Sequence, residues 1–334
     1  MLFCIVALVP TLAGQTSEPI RLIGVGSTSP LPAFSRLLPA FEKTHVNLLA
    51  SYLPYGSERG MEMVATGTAD FAASEAQPPV HWSAGNDMPL LFFPMLVGAV
   101  VPAYNLPGLT QPLKFTAKSL ADIYLGKITR WDDAELAAAN RTVTLPAVSI
   151  VVVHSAAGRG STYIWTDYLC KISNEWKMRV GKGLSVRWPV GEEVDANGNV
   201  ARMVKNTPFS LAFVDLGYGL RAQVSLGLVQ NAAGNFVAAD TASVAAAAAA
   251  ATKAVPPDFR YSITNPGGAL SYPIASFSWL VIAKKSGPPG KQQALKTFMH
   301  WMLSDGQLYI PDAGFTAVPQ EIAGHELKAI DNLQ

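Results

Sequence analysis

Cysteine is nearly absent, with only Cys4 and Cys170 in 334 residues. If a leader carrying Cys4 is removed, Cys170 stands alone. That leaves no internal disulfide and no cysteine-based metal site, so packed cores must hold the chain. The five histidines, His45, His81, His154, His300 and His325, show no His-x3-His spacing and read as structural residues. Charge is scarce too: 15% of the residues are charged, with a formal net charge of +1. Such a balance supplies no global field for nucleic acid or anionic lipid, so a charged ligand must be recognised by a local arrangement. No apolar run reaches the ~20 residues a membrane span needs. The run at 1–14, MLFCIVALVPTLAG, has the length and small-residue ending of a secretory leader, expected over residues 1–17 with cleavage near Ala13 or Gly14. It lacks a basic beginning, and Cys4 has no lipoprotein-type box before it. Catalytic signatures are missing as well. The turn at 158–162 lacks the Gly-x4-Gly-Lys-Ser/Thr pattern of a phosphate loop, and GSERG at 56–60 puts its serine in the wrong place for a nucleophile elbow. His154 and Ser155 are adjacent, which is not how a base reaches its nucleophile. No enzyme activity, metal or cofactor is expected.

Hydrophobic residues make up 49% of the chain, enough for packed interiors, and its length favours two domains. From Pro19 onward, strand and helix patterns alternate, which is α/β grammar. Strands are expected at 21–25, 46–53, 70–73, 94–104, 148–153 and 272–284. Helices are expected from the first turn to about Lys43, from Ser57 to about Thr66, and at 120–125, 132–139, 161–172 and 291–303. A further helix at 238–253 carries a poly-alanine run behind Asp240 or Thr241. The strands at 94–104 and 272–284 are longer than one domain's sheet needs and are read as crossings. The first domain then comprises 18–97 plus 272–334, and the second 98–271. Ligands of such proteins sit between the domains, where hinge closure buries them.

Three segments repeat one pattern: a strand, a glycine with a small hydroxyl residue, then a helix. They are Gly26-Ser27-Thr28-Ser29, Gly56-Ser57-Glu58 and Gly158-Arg159-Gly160-Ser161-Thr162. The first turn of a helix offers unsatisfied N–H groups and partial positive charge. Glycine lets backbone approach a ligand closely, and hydroxyls add donors. A single serine or threonine before a helix is ordinarily an N-cap. Three such ends aimed at one point make an anion site with little formal charge. Arg159 is the one cation in these turns, and its planar fork suits bidentate contact with an oxyanion.

The stretches GVGSTSPLPAFSRLL (24–38), YGSERGMEMVATGTADFAASEA (55–76), LADIYLGKITRWDD (120–133), TYIWTDYL (162–169), WPVG (188–191), FVDLGYGL (213–220) and YPIASFSWLVI (272–282) resemble the phosphate-binding proteins of phosphate-specific ABC transporters. The resemblance implies a two-domain periplasmic-binding-protein (Venus flytrap) fold outside the cytoplasm. It also implies a monomer that passes inorganic phosphate to an ABC permease, without nucleic acid as a partner. It further implies contacts from the three helix starts, one arginine and one carboxylate, the carboxylate accepting a hydrogen bond from the protonated oxyanion and so rejecting sulfate. By position, Thr28 and the Ser29 amide match the first turn, Ser57 the second, and Gly160 and Ser161 the third, with Ser27 and Ser155 as further candidates. The polar centre departs from the family pattern. Glu75 replaces the usual aspartate. The third turn, normally Arg-x-Asp-Gly-Ser-Gly-Thr, reads Ser155-Ala156-Ala157-Gly158-Arg159-Gly160-Ser161, and 192–197 replaces a glycine-rich segment. In one reading Arg159 restores the guanidinium from the other side of the loop and phosphate binding persists. In the other the pocket has turned to a different oxyanion, such as arsenate, diphosphate or an organophosphate. A phosphoester hydrolase is a third class, and it lacks an activated nucleophile.

Overall fold

The computed structural model describes residues 18–77, 89–252, 255–284 and 287–333; the expected leader at 1–17 and His81 lie outside them. The chain begins β1 (Ile20–Gly26), α1 (Leu31–Thr44), β2 (Leu48–Leu53), α2 (Ser57–Ala65) and β3 (Phe71–Ser74). β1 pairs in parallel with β2 on one side and β3 on the other. The apolar face of α1, with Phe34, Leu37 and Phe41, is buried. It meets Phe71 and the final helices, Phe298 lying edge-on to Phe41 at 5.0 Å.

The 15-residue β4 (Leu90–Tyr104) organises the rest. Its residues 90–99 run antiparallel to β12 (Ala275–Ala283), which also borders β3. Its residues 100–104 pair instead with β8 (Ser210–Asp215). β8 continues in parallel to β6 (Val151–Ser155), and β6 to β7 (Glu192–Val194). Among the described residues the sheet order is therefore β2-β1-β3-β12-β4-β8-β6-β7, with the short β9 (Ser225–Leu226) also on β4. The register of β4 on β12 slips between Ser278 and Trp279, opposite Pro94 and Leu96. Proline has no N–H for the ladder and tends to sit at such bulges.

Beside β8 lie α5 (Gly160–Ile172), α7 (Asn197–Asn206) and α8 (Leu216–Ala222). α5 is held by buried aromatics, Trp165 stacking on Phe213 at a ring separation of 5.0 Å. α3 (Ala117–Tyr124), α4 (Ala134–Ala139), α6 (Asn174–Arg179) and a small sheet of β5 (Lys114–Phe115), β10 (Leu228–Gln230) and β11 (Phe236–Val237) complete this side. The poly-alanine segment forms α9 (Thr241–Ala250), shorter than expected because Asp240 and Ser243 close a capping box at its start. α10 (Pro289–Leu303) and α11 (Gln320–Asp331) end the chain. The strand expected at 148–153 begins only at Val151. Val148 and Ile150 instead bond to the turn at Trp131 and Thr129.

α5 is anchored by Asp167, whose carboxylate meets Lys182 Nζ at 2.9 Å, Lys171 Nζ at 3.5 Å and the hydroxyls of Ser262 and Thr264. Burial pushes this carboxyl up, but Lys171, the two hydroxyls and Lys182 outweigh it and hold it below its ordinary range. Lys171 is itself held down, because its own burial exceeds the pull of Asp167. A carboxyl lowered in the folded state stabilises the fold above its unfolded pKa, about 4, and loses that contribution as pH falls through the lowered value. Asp167→Ala is expected to cost on the order of 3 kcal/mol at neutral pH. Urea unfolding should show a smaller difference at pH 3 than at pH 7, and an equal difference would mean that the charge contributes nothing.

Candidate functional site

The three glycine turns meet. Gly26 ends β1 with φ 120°, and a Cβ there would lie 2.3 Å from Ala73 O. Gly60, one turn into α2, comes so near that a Cβ would sit 2.4 Å from Gly26 Cα. The second turn bonds to the first through Gly56 N–H donating to Gly26 O at 2.7 Å. The third turn faces the second across the junction of the two sheet halves. A Cβ on Gly160 would lie 2.0 Å from Glu75 Oε2 and 2.8 Å from Ser57 Oγ, and one on Gly56 would lie 3.3 Å from Arg159 Nη1. Only residues without side chains allow this approach.

These helix starts are not ordinary caps. α1, α2 and α5 begin behind Pro30, Gly56 and Arg159, and none has a side-chain cap bond. Side-chain caps close α3, α4, α6 and α9, through Thr116, Asp133, Ser173 and Asp240, whereas α7, α8, α10 and α11 also start without one. The hydroxyls of the glycine turns are spent on one another's surroundings instead. Ser57 Oγ donates to Glu75 Oε2 at 3.3 Å, and Ser278 Oγ, on β12 beside the bulge of β4, donates to Glu75 Oε1 at 2.6 Å. Ser161 Oγ lies 3.5 Å from Ser155 Oγ and donates to Asn197 Oδ1 at 3.1 Å. The Ser29 N–H donates to Ser27 Oγ at 3.1 Å. Ser27, Ser29, Ser57, Glu75, Ser155, Gly160 and Ser161 are all buried.

Arg159 is placed differently from the simple expectation of a guanidinium aimed at an anion. Its Nη2 pairs with Asp195, in the segment that departs from the family pattern, and its Nη1 lies over Gly56. Nε is buried without a hydrogen-bond partner among the described residues.

Four residues that the sequence reading did not select complete the cluster. Ser278 is one. Asp215, at the end of β8, accepts from Ser29 Oγ at 2.7 Å and from Asn197 Nδ2. Asn197 Nδ2 also reaches Thr28 Oγ1 at 3.2 Å, and Tyr218 OH donates to Thr28 O at 2.8 Å. Asp215 stands where a strand passes into a helix, just as the glycine turns do. The rule of glycine plus hydroxyl passed over it because its polar group is a carboxyl. Asn197 lies in the substituted segment at 192–197, and the other three lie in stretches already matched to the family.

Two buried acids therefore share the cluster. Burial raises Glu75, and the hydroxyls of Ser27, Ser278 and Ser57 offset only part of the rise. Burial, then the charge of Glu75, pushes Asp215 up to about 7, against help from Ser29 and Arg221. Among the described residues no group of three or more His, Cys, Asp and Glu side chains could hold a metal.

Three glycine turns therefore gather over a buried carboxyl between two halves of a sheet, and a sequence model of the PBP superfamily domain matches residues 13–306, placing the chain in that class. The chain is 33% identical over 308 residues to the phosphate-binding protein PstS of Pasteurella multocida, covering 92% of this chain and 89% of that one. It is 32% identical to PstS of Methanocaldococcus jannaschii, with 99% and 92% covered. The chain thus belongs to the PstS family of phosphate-binding proteins. A crystal structure of a phosphate-binding protein from Stenotrophomonas maltophilia shares the fold, with a TM-score of 0.67 at 15% identity over 92% of this chain and 93% of that one. The two-domain α/β architecture expected from the sequence is that of the superfamily.

Gly160→Ala tests the convergence directly. Its methyl group must push the third turn from Glu75 and Ser57, for an expected loss of about 1–3 kcal/mol in chemical unfolding. An unchanged midpoint would show that the turns do not press together in solution.

Proposed function

We propose that this protein captures inorganic phosphate in the gap between its two lobes and delivers it, outside the cytoplasm, to the permease of an ABC transporter. The convergence of three uncapped helix starts on buried Glu75 carries this reading. The lobes are 18–97 plus 272–334 and 98–271. The partner change along β4 supports this division, with β12 and β8 on successive halves of one strand. Export by a leader at 1–17 belongs to the same proposal. Among the described residues no helix is long and apolar enough to cross a membrane.

The chemistry follows from the donors. Thr28, Ser57, Ser161 and the first-turn amides of α1, α2 and α5 replace an oxyanion's water shell with dipoles already oriented by their helices, so little ordering remains at binding. Glu75 accepts from a P–OH group. Sulfate has no such proton and would set charge against charge. Arg159, held by Asp195 beside Gly56, supplies positive potential at the edge of the gap, and its Nε, without a partner among the described residues, is a further donor. Closure removes water and strengthens each contact. The protein acts by binding and release, without chemical change to the ligand.

Calorimetry with phosphate, arsenate, sulfate and diphosphate tests the assignment on wild type and Arg159→Ala. Phosphate should bind and sulfate should not. Loss of the guanidinium should weaken phosphate by about 10- to 100-fold. Sulfate binding in place of phosphate would overturn the reading, and an unaffected variant would remove Arg159 from it.

A further inference from the structure

The ligand contacts do not account for Asp215 and Asn197. Asp215 ends β8 on one side of the β4 junction, and Ser29 follows β1 on the other. Three side-chain bonds cross between these sides: Ser29 Oγ to Asp215 Oδ1 at 2.7 Å, Asn197 Nδ2 to Thr28 Oγ1 at 3.2 Å, and Tyr218 OH to Thr28 O at 2.8 Å. The Asn197–Asp215 bond joins the first two, and Asn197 Oδ1 ties the same unit to Ser161 on the third turn. We infer that Ser29, Asp215 and Asn197 form a latch that holds the two lobes closed, with Asp215 a positioning residue whose protonation sets the strength of closure. This rests on the phosphate reading above and adds a residue class to it, since the latch touches the turns and not the ligand.

The charge balance gives the latch a direction. Facing Asp215 are Glu75 from the end of β3, Tyr218 and Arg221 from α8, and, through Glu75 and Tyr218, Tyr52 from β2. Only Arg221 among them is cationic. Closure buries Asp215 beside Glu75, so the closed state holds a proton that an opened, solvated Asp215 releases. An acid raised on closing stabilises the closed state below its open-state pKa and loses that contribution as pH rises through the closed-state value. The closed-state value is about 7. Closure therefore weakens between about pH 4 and pH 7 and changes little above that.

Substitutions separate the latch from the ligand contacts. Ser29→Ala keeps the backbone amide and removes one crossing bond. Asp215→Ala removes its acceptor. Asp215→Asn imitates the protonated acid, and Asn197 can turn its amide over to meet it, because Ser161 and Thr28 hydroxyls can donate or accept. In stopped-flow measurements of phosphate release near pH 5, Ser29→Ala and Asp215→Ala should speed dissociation about tenfold, and Asp215→Asn should not. The ratio of wild-type to Asp215→Asn release rates should rise from pH 5 to 7 and then level, the ligand's own titration cancelling in the ratio. Ser29→Ala releasing phosphate at the wild-type rate, or parallel pH profiles, would overturn the latch. If wild type binds no phosphate, the functional reading has failed, and small-angle scattering of the ligand-free proteins still decides. A larger radius of gyration for Asp215→Ala than for wild type supports the latch, and equal radii reject it.

Discussion

A carboxyl group buried away from solvent constrains everything else in the site. Glu75 is almost fully buried, and hydroxyls from Ser57 and Ser278 and the backbone of Gly160 surround it. A buried acid is costly unless its surroundings supply hydrogen bonds or it keeps its proton. The fold provides the first through Ser278 on β12, Ser27 just after β1 and Ser57 at the start of α2. Each of those serines needs its own element to be in place. The bulge on β4 falls beside Ser278, and the contacts of Gly26 with Ala73 and Gly60 hold α2 down so that Ser57 faces inward. The carboxyl thereby links local backbone shape to the chemistry of the gap.

The same constraint explains why so little positive charge is needed. Two guanidiniums border the cluster, Arg159, already engaged by Asp195, and Arg221, lying over Tyr218 near Asp215. The attraction for an anion comes chiefly from oriented N–H and O–H dipoles, which cost less to bury than ions and do not invite every anion equally. Discrimination then lies in where protons sit, on the ligand or on the acids, and not in net charge.

Much of this was legible in the chain. The glycine-hydroxyl turns, the alternation of strands and helices, and the long apolar strand at 94–104 pointed to the fold and to Ser57 and Gly160, while Glu75 came only from the family resemblance. Strand ends shifted where a local bond competed, as at Val148. Asp215, Asn197 and Ser278 escaped because their part depends on long-range register. Ser278 lies 203 positions from Glu75, and only the pairing of β12 with β3 and β4 brings it there. Asn197 is aimed by Ala196, which adopts φ 63° just before α7, a conformation that nothing in an alanine announces. The partner of Arg159 was hidden for a similar reason, since Asp195 sits in an unmatched loop.

The change of partner along β4 also governs how the molecule can move. Nine of the first ten residues of that strand pair with β12, Met95 bulging out, and the next five pair with β8. Neither ladder can peel away without exposing a row of backbone groups, so any separation of the halves would keep both ladders and bend where the partner changes, at Ala99–Val100, beside the return crossing at Ile274. A bend at one point swings distant parts widely and near parts hardly at all. Asp215, paired with Val100 at that point, travels little. Opening would thus proceed like a book held at its spine, with the outer edge admitting solvent before the inner edge loses its bonds.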